Sequence, residues 1–428
     1  MKRLITLTGL TLGLFLSSCG PSAPSSDSDT VQPGDTITIL GTLTGIGEDK
    51  LRQSLEPFTE ATGIEVVYEG SDAFTTLVSV RVDSGNTPDL ALFPQPGLML
   101  DFAEAGDMVP ISEMVSREDL AAAYDDYLLD LVSREDDIYG LWMRADVKSL
   151  VWYNPQAFAD KGYEIPATWD ELQALTDQIV SDGGVPWCLG MESGKATGWV
   201  GTDWIEDILL RSAGPDVYDQ WVDHRIPFTD PRVKAAFEDF GAIAQNPDYI
   251  FGGTTGAISI PFGDSPAPLF DDPPGCYLHR QASFIVEFLP DSVELGTDVS
   301  VFALPPMDPS QGSPVVLGGI VFGVFNDTPA VRALMEYLAT PEPHTIWAGL
   351  GSYISPHQQV ELDAYPDDLT RKQVEILRSA DVLRFDAADQ MPGEVGTGTF
   401  WTGIVDYVGG GDLDQILADI DDSWPDEE

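Results

Sequence analysis

The sequence predicts an α/β fold, and three observations carry that expectation. From Thr36 onward, short β-branched runs alternate with stretches of helical spacing. Residues 315–325 (V-V-L-G-G-I-V-F-G-V-F) are apolar on both faces, as a central strand should be. The chain has 428 residues and 43% hydrophobic content, enough for a large core and for two or three domains of about 150 residues each.

Each element follows from local pattern. Residues 36–40 (T-I-T-I-L) read as a strand, followed by a loop at 41–47. Residues 48–62 place Leu51, Leu55 and Phe58 on one helical face and end at Gly63. Residues 64–68 are a second strand, 71–84 a second helix and 89–93 a third strand. This βαβαβ order predicts a parallel sheet with helices on its faces. Ligands of such sheets bind beyond the carboxyl ends of the strands, which here means the loops 42–47, 69–74 and 94–97. Residues 139–155 (Y-G-L-W-M-R-A-D-V-K-S-L-V-W-Y-N-P) read as one buried strand closed by the Asn154-Pro155 turn. Thr168 is placed to cap a helix running to Val180, with Glu171 completing a capping box.

Further along, residues 258–262 and 276–286 are strand candidates. Residues 261–274 hold five of the chain's 32 prolines and read as an ordered loop. Gly318 and Gly319, inside the central strand, mark a close approach of backbone or ligand. Residues 330–339 and 371–377 are helical, and 412–420 form a last helix before an acidic tail, D-D-S-W-P-D-E-E, expected to fray. There is no internal repeat.

Seventy-one Asp and Glu against 21 Lys and Arg give a formal net charge of −50, which repels nucleic acid phosphates and anionic head groups. No spaced-carboxylate calcium loop is present, and no Cys/His set has zinc spacing. The chain opens with M-K-R, an apolar run at 4–16, and S-S-C-G, the layout of an export signal. The run is too short to span a bilayer. Leu16-Ser17-Ser18-Cys19 resembles the lipobox of bacterial lipoproteins, which implies cleavage before Cys19 and a lipid anchor on its thiol. Residues 20–35 then form a flexible tether. With Cys19 lipidated, Cys188 and Cys276 remain, and two cysteines in an exported chain read as one disulfide. Two buried free thiols are the alternative.

Five sequence stretches carry a resemblance. The 139–155 segment is similar to the crossover of bacterial extracellular solute-binding proteins, the ligand-capturing subunits of ABC importers. T-P-D-L-A-L-F-P-Q-P-G at 87–97, and Y-N-P-Q-A-F-A-D-K-G-Y with I-P-A-T-W-D-E-L after it, match recurrent parts of the same family. Residues 185–213 (V-P-W-C-L-G-M-E-S-G-K-A-T-G-W-V-G-T-D-W-I-E-D-I-L-L-R-S-A) and 383–408 (L-R-F-D-A-A-D-Q-M-P-G-E-V-G-T-G-T-F-W-T-G-I-V-D-Y-V) resemble its carbohydrate-binding subset, closest to α-glucoside-binding proteins. The resemblance implies a two-lobed periplasmic-binding-protein-like fold with a hinge and an interlobe ligand cleft. Residues 36–147 would begin lobe 1, 148–315 would be mainly lobe 2, and 316–428 would return to lobe 1 and add helices to the cleft. It further implies a monomer, anchored outside the membrane, that hands an oligosaccharide or α-glucoside to permease subunits. No cofactor and no metal are implied.

A sugar presents C–H faces to flat aromatic rings and a hydroxyl rim to carboxylates, amides and cations. Trp199 and Trp204 with Asp203 and Glu192 form one such constellation, and Trp401 with Asp386 and Asp389 a second. By family position, Phe74, Gln95, Arg144 and Lys148 would complete wall and rim. For every Trp the alternative is ordinary packing. The competing functions are a binder of the same fold for a polyol or amino sugar, and a cell-surface glycosidase. For enzymatic chemistry the signals are weak: no G-x-S-x-G elbow accompanies His224, His279, His344 or His357, and no glycosidase motif stands out.

Overall fold

The computed structural model describes residues 31–425. The export signal, Cys19 and residues 20–30 of the expected tether lie outside the described residues. The chain opens with strand β1 (Thr36–Gly41), helix α1 (Gly45–Thr62), β2 (Glu65–Gly70), α2 (Phe74–Asp83) and β3 (Leu90–Phe93), the order the sequence predicts. Gly63 ends α1 in the left-handed conformation, φ 73°, and its N–H bonds to the Thr59 carbonyl. β1 pairs in parallel with β2 and β3, with Ile39 beside both Tyr68 and Leu90.

The expected all-parallel sheet is only partly right. The strand Pro314–Val324, buried along its whole length, runs antiparallel to β3. It is also antiparallel to β4 (Gly140–Val147) and parallel to Val382–Phe385. The sheet is therefore mixed and six-stranded. Residues 139–155 are likewise two strands rather than one. β4 belongs to the large sheet, whereas β5 (Leu150–Tyr153) pairs with His279–Arg280 and Ser300–Ala303 in a separate antiparallel sheet. Both halves of the run carry large apolar residues, Leu141 to Met143 in one and Leu150 to Trp152 in the other, so composition does not reveal the break; it falls at Lys148-Ser149, where hydrogen bonds hold the chain. Lys148 N donates to Val316 O at 2.9 Å, and Leu304 N donates to Ser149 O at 2.9 Å.

Two cores form, and β5 contributes to both, Leu150 and Trp152 to the first and Val151 to the second. One gathers Leu40, Leu92, Leu141 and Val324, the other Val151, Trp187, Ile208 and Phe237. Helix α3 (Trp169–Ser181) starts as predicted, with the Thr168 hydroxyl accepting from Glu171 N and the Glu171 carboxylate accepting from Ala167 N. Helix α4 (Trp199–Ala213) crosses the second core. Cys188 and Cys276 form the disulfide, with Cα atoms 5.5 Å apart.

Two strand expectations fail. The run 258–262 forms no strand: Ile258 and Ser259 end the helix Gly253–Ser259 and 260–262 follow as a bend and turn, while 276–286 yields a two-residue strand followed by the 3-10 turn Ser283–Phe288. Short apolar runs fit both conformations, and here the flanking Gly252 and Gly253 open a helix. The tail is also firmer than expected through residue 425: Asp421 accepts from Phe228 N and Thr229 N, and Trp424 stacks on His224 at 4.1 Å.

Candidate functional site

The break between β4 and β5 places Lys148 where the two sheets meet, almost fully buried. Its aliphatic stem lies across the Gly318 position, where a Cβ would stand 2.6 Å from the Lys148 Cε. The close approach marked by the two glycines is thus to this lysine and, at Gly319, to the Arg144 carbonyl oxygen. The ammonium group donates to Asp203 Oδ1 at 2.8 Å and to Asp386, and its nitrogen is 4.0 Å from Asp389 Oδ2.

Behind the lysine lies a buried charge network. Asp203, Glu206, Asp207 and Arg211 fall on one face of α4, at spacings of three, one and four residues. Arg211 and Arg280 both hold Asp207, Arg280 Nη2 donating at 2.8 Å. Arg280 Nη1 is 3.4 Å from Asp203 Oδ2. Five buried carboxyls (Asp203, Glu206, Asp207, Asp386, Asp389) face three cations (Lys148, Arg211, Arg280), an excess of two. A low-dielectric interior resolves such an excess by retaining protons. Burial, then repulsion from Asp386, pushes the carboxyls of Glu206 and Asp389 well above their ordinary range. Burial lifts Asp203 to about 7 against the pull of Lys148. Burial also acts upward on Asp386, but Lys148 and the donors around it hold its carboxyl below the ordinary value. Burial would lower the Lys148 ammonium, yet Asp203 and Asp386 keep it raised and charged. Carboxylate oxygens of Asp203, Glu206 and Asp386 lie within 4.8 Å of one another, a spacing a cation could use. Lys148 bonds two of the three and already supplies the positive charge there.

In front of the lysine is a cavity of about 240 Å³ lined from both sides of the break. Of the residues expected from sequence, Phe74, Gln95, Arg144, Lys148, Trp199, Asp386, Asp389 and Trp401 line it. Trp199, the first residue of α4, holds its ring 5.6 Å from the Lys148 Nζ. Trp401 begins the helix Trp401–Val408 after a π-helical turn, Val395–Phe400. The two tryptophans come together because Gly198 takes φ 120°, and a Cβ there would meet the Trp401 carbonyl oxygen at 2.1 Å.

Three expected residues sit elsewhere. Trp204 is 1% exposed and does not line the cavity; its ring packs against Trp187 at 5.1 Å and Phe240 at 5.8 Å. One turn and a fraction along α4 from Trp199, it faces the core rather than the cleft. Asp203 is behind Lys148 and touches the cavity only through it. Glu192 accepts from Gly194 N at 2.8 Å and shapes the loop before α4.

Sequence reasoning missed Phe262, Phe284, Glu287 and Phe288, which form the opposite wall. Phe262 meets Trp199 at 5.2 Å and Phe288 at 5.0 Å. The signal was the spacing of Phe284, Glu287 and Phe288, three and four apart, which a strand reading sends to both faces but a helical turn puts on one.

This arrangement offers aromatic faces and polar atoms converging on one space at the junction of two sheets, a geometry for holding a small polar solute. The family model of bacterial extracellular solute-binding proteins matches residues 43–344, more than half of the chain. The chain belongs to that family. It is 55% identical over 424 residues to the osmoprotective compounds-binding protein GgtB of Synechocystis, covering 99% of this chain and all of the relative. It is 41% identical over 399 residues to the alpha-glucosides-binding periplasmic protein AglE of Rhizobium meliloti, covering 91% of this chain and 87% of the relative. Among solved structures, the bacterial solute receptor AcbH superposes with a TM-score of 0.79 over 91% of this chain and 98% of the receptor, at 19% identity, a likeness of fold. This solute-binding protein thus has the two-lobed fold of its family, and it works as the binding subunit of an ABC-type importer. No helix among the described residues is long and apolar enough to cross a membrane.

Proposed function

We propose that this protein captures an α-glucoside of one or two sugar units between its lobes and delivers it to a membrane permease. The observation that carries the proposal is the cavity itself: Trp199, Trp401, Phe262 and Phe284 supply ring faces, and Lys148, Asp386, Asp389, Arg144 and Gln95 supply a polar rim. Its volume is about 240 Å³, and it adjoins a second pocket of about 300 Å³ that shares Asp72, Thr75, Ala196 and Trp401, which together give room for one or two sugar units. The names of two relatives, one an alpha-glucosides-binding and one an osmoprotective compounds-binding protein, agree with this class. The second name also favours the neighbouring reading, a small polyhydroxy osmolyte. Solute bridging the lobes would stabilise the closed form, because only that form makes both sets of contacts. The lipid anchor at Cys19, the lobe boundaries at 147/148 and 315/316, and action as a monomer belong to the same proposal. So does capture without bond cleavage: Asp386, the ionised carboxylate of the rim, is engaged by Lys148.

A thermal-shift screen of the chain starting after Cys19, against mono- and disaccharides, polyols and amino acids, tests the reading. A ligand that binds only the folded state should add about 2.7 kcal/mol at 100 times its dissociation constant. The expected result is a shift with α-linked glucosides and none with amino acids. A shift confined to amino acids would overturn the ligand class.

A further inference from the structure

Among the residues lining the cavity, Arg144 and Glu287 each carry a buried polar atom with no hydrogen-bond partner among the described residues, Arg144 Nη1 and Glu287 Oε1. One is an obligate donor, the other an acceptor, and both side chains line the same space. Neither charge is unbalanced. Arg144 Nε donates to Asp146 at 3.1 Å, and Lys50 Nζ stands 3.8 Å from Glu287 Oε1, an ion pair too long for a hydrogen bond. Two cations thus meet two carboxylates, and the set is neutral. The Phe284 ring lies 5.7 Å from the Arg144 guanidinium and holds it over the cavity. Leaving a buried donor and acceptor unmade is costly, so the complementary partner is a ligand group that accepts from one and donates to the other.

We infer that Arg144 and Glu287 form a subsite for a neutral pair of adjacent hydroxyls, and that it rejects ligands carrying a carboxylate or an ammonium at that position. This rests on the proposed reading of the cavity as a glycoside site and names the part of the solute that these two side chains read. One hydroxyl oxygen accepts from Arg144 Nη1, and its neighbour donates to Glu287 Oε1. A carboxylate there would face Glu287 and add a fifth charge to a balanced buried set; an ammonium would face Lys50 and Arg144 in the same way.

Titration calorimetry with three matched probes tests it: maltitol, the same skeleton ending in a carboxylate (maltobionate), and methyl α-D-glucopyranoside, which lacks the second unit. The wild-type protein should bind maltitol at least about tenfold tighter than either of the others, the discrimination expected of a buried polar pair left unsatisfied. Glu287→Gln should bring maltobionate to within about threefold of maltitol, since the carboxylate then meets an amide donor rather than a like charge. Trp401→Ala, which removes another ring lining the cavity, should weaken all three together and leave their ratio unchanged. Maltobionate binding as well as maltitol to the wild type, or an unchanged ratio in Glu287→Gln, overturns the subsite. If no glucoside binds, the proposed ligand class fails, and the subsite is read with glucitol against gluconate. A preference for glucitol of about tenfold, lost in Glu287→Gln, sustains it, and absence of both binding and preference overturns it.

Discussion

Burial, then repulsion from Asp386, which Lys148 engages more closely, pushes the Asp389 carboxyl well above its ordinary range. This makes stability depend on pH in a definite sense. A carboxyl whose pKa is raised on folding contributes fully below its unfolded value near 3.8 and loses that contribution as pH rises toward the folded value. Asp203, lifted to about 7, and Glu206 act in the same direction. The buried His279 and His344, lowered to about 4 and about 3 chiefly by burial, act oppositely, but only below their unfolded value of 6.5. Above that value the carboxyls dominate. The unfolding free energy of the ligand-free protein should therefore fall as pH rises above about 6.5, by up to about 1.4 kcal/mol per pH unit for each retained proton, and the melting temperature should fall with it. Asp389→Asn, which removes one such titration, should flatten the fall; a variant slope as steep as wild type would mean that Asp389 is ionised.

At the scale of elements, the cleft depends on where α4 begins. Gly198 lets Trp199 enter the cavity beside Trp401, and no other residue type fits that backbone without moving the Trp401 segment. Gly198→Ala should cost about 1–3 kcal/mol of stability and lower ligand affinity more than about tenfold, by separating the two rings. Thr168→Ala is the contrast. It removes the cap of α3, remote from the cavity, and should cost about 1 kcal/mol while leaving affinity unchanged. Chemical denaturation and calorimetry on both variants would settle it, and wild-type affinity in Gly198→Ala would refute the placement of the rings. The capped helix was legible in the sequence because T-W-D-E is a purely local signal. The turn bearing Phe284 and Glu287 was not, because a short apolar run satisfies a strand and a helical turn equally well.

Across the whole molecule, the net charge of −50 sets a repulsion that no local pairing cancels. Many of the ion pairs are exposed, among them Arg225–Asp223 and Arg134–Glu104, and such pairs contribute little. The pairs around Lys148 and Arg280 are buried and escape screening. Added salt should therefore screen the net repulsion more than it weakens attraction. The melting temperature is expected to rise between about 20 mM and about 500 mM sodium chloride, where the screening length falls from about 20 Å to about 4 Å. A fall over that range would show that surface pairs outweigh the repulsion.

The opening βαβαβ unit, the central strand, the capped helix at Thr168 and the family were legible in the residue order alone, because each is written in patterns a few residues to a few tens of residues long. The sequence also named eight of the residues that line the cavity, Phe74, Gln95, Arg144 and Lys148 by family resemblance and Trp199, Trp401, Asp386 and Asp389 from aromatic rings lying beside carboxylates. Only the tertiary structure decided that 139–155 is two strands in different sheets, that Trp204 belongs to the core while Trp199 faces the cleft, and that Glu287 joins Arg144. The reason is physical: burial and pairing of these groups depend on neighbours more than a hundred residues away, such as Gln281 for Trp152 and Asp386 for Lys148. No local pattern records which distant partner a side chain will meet.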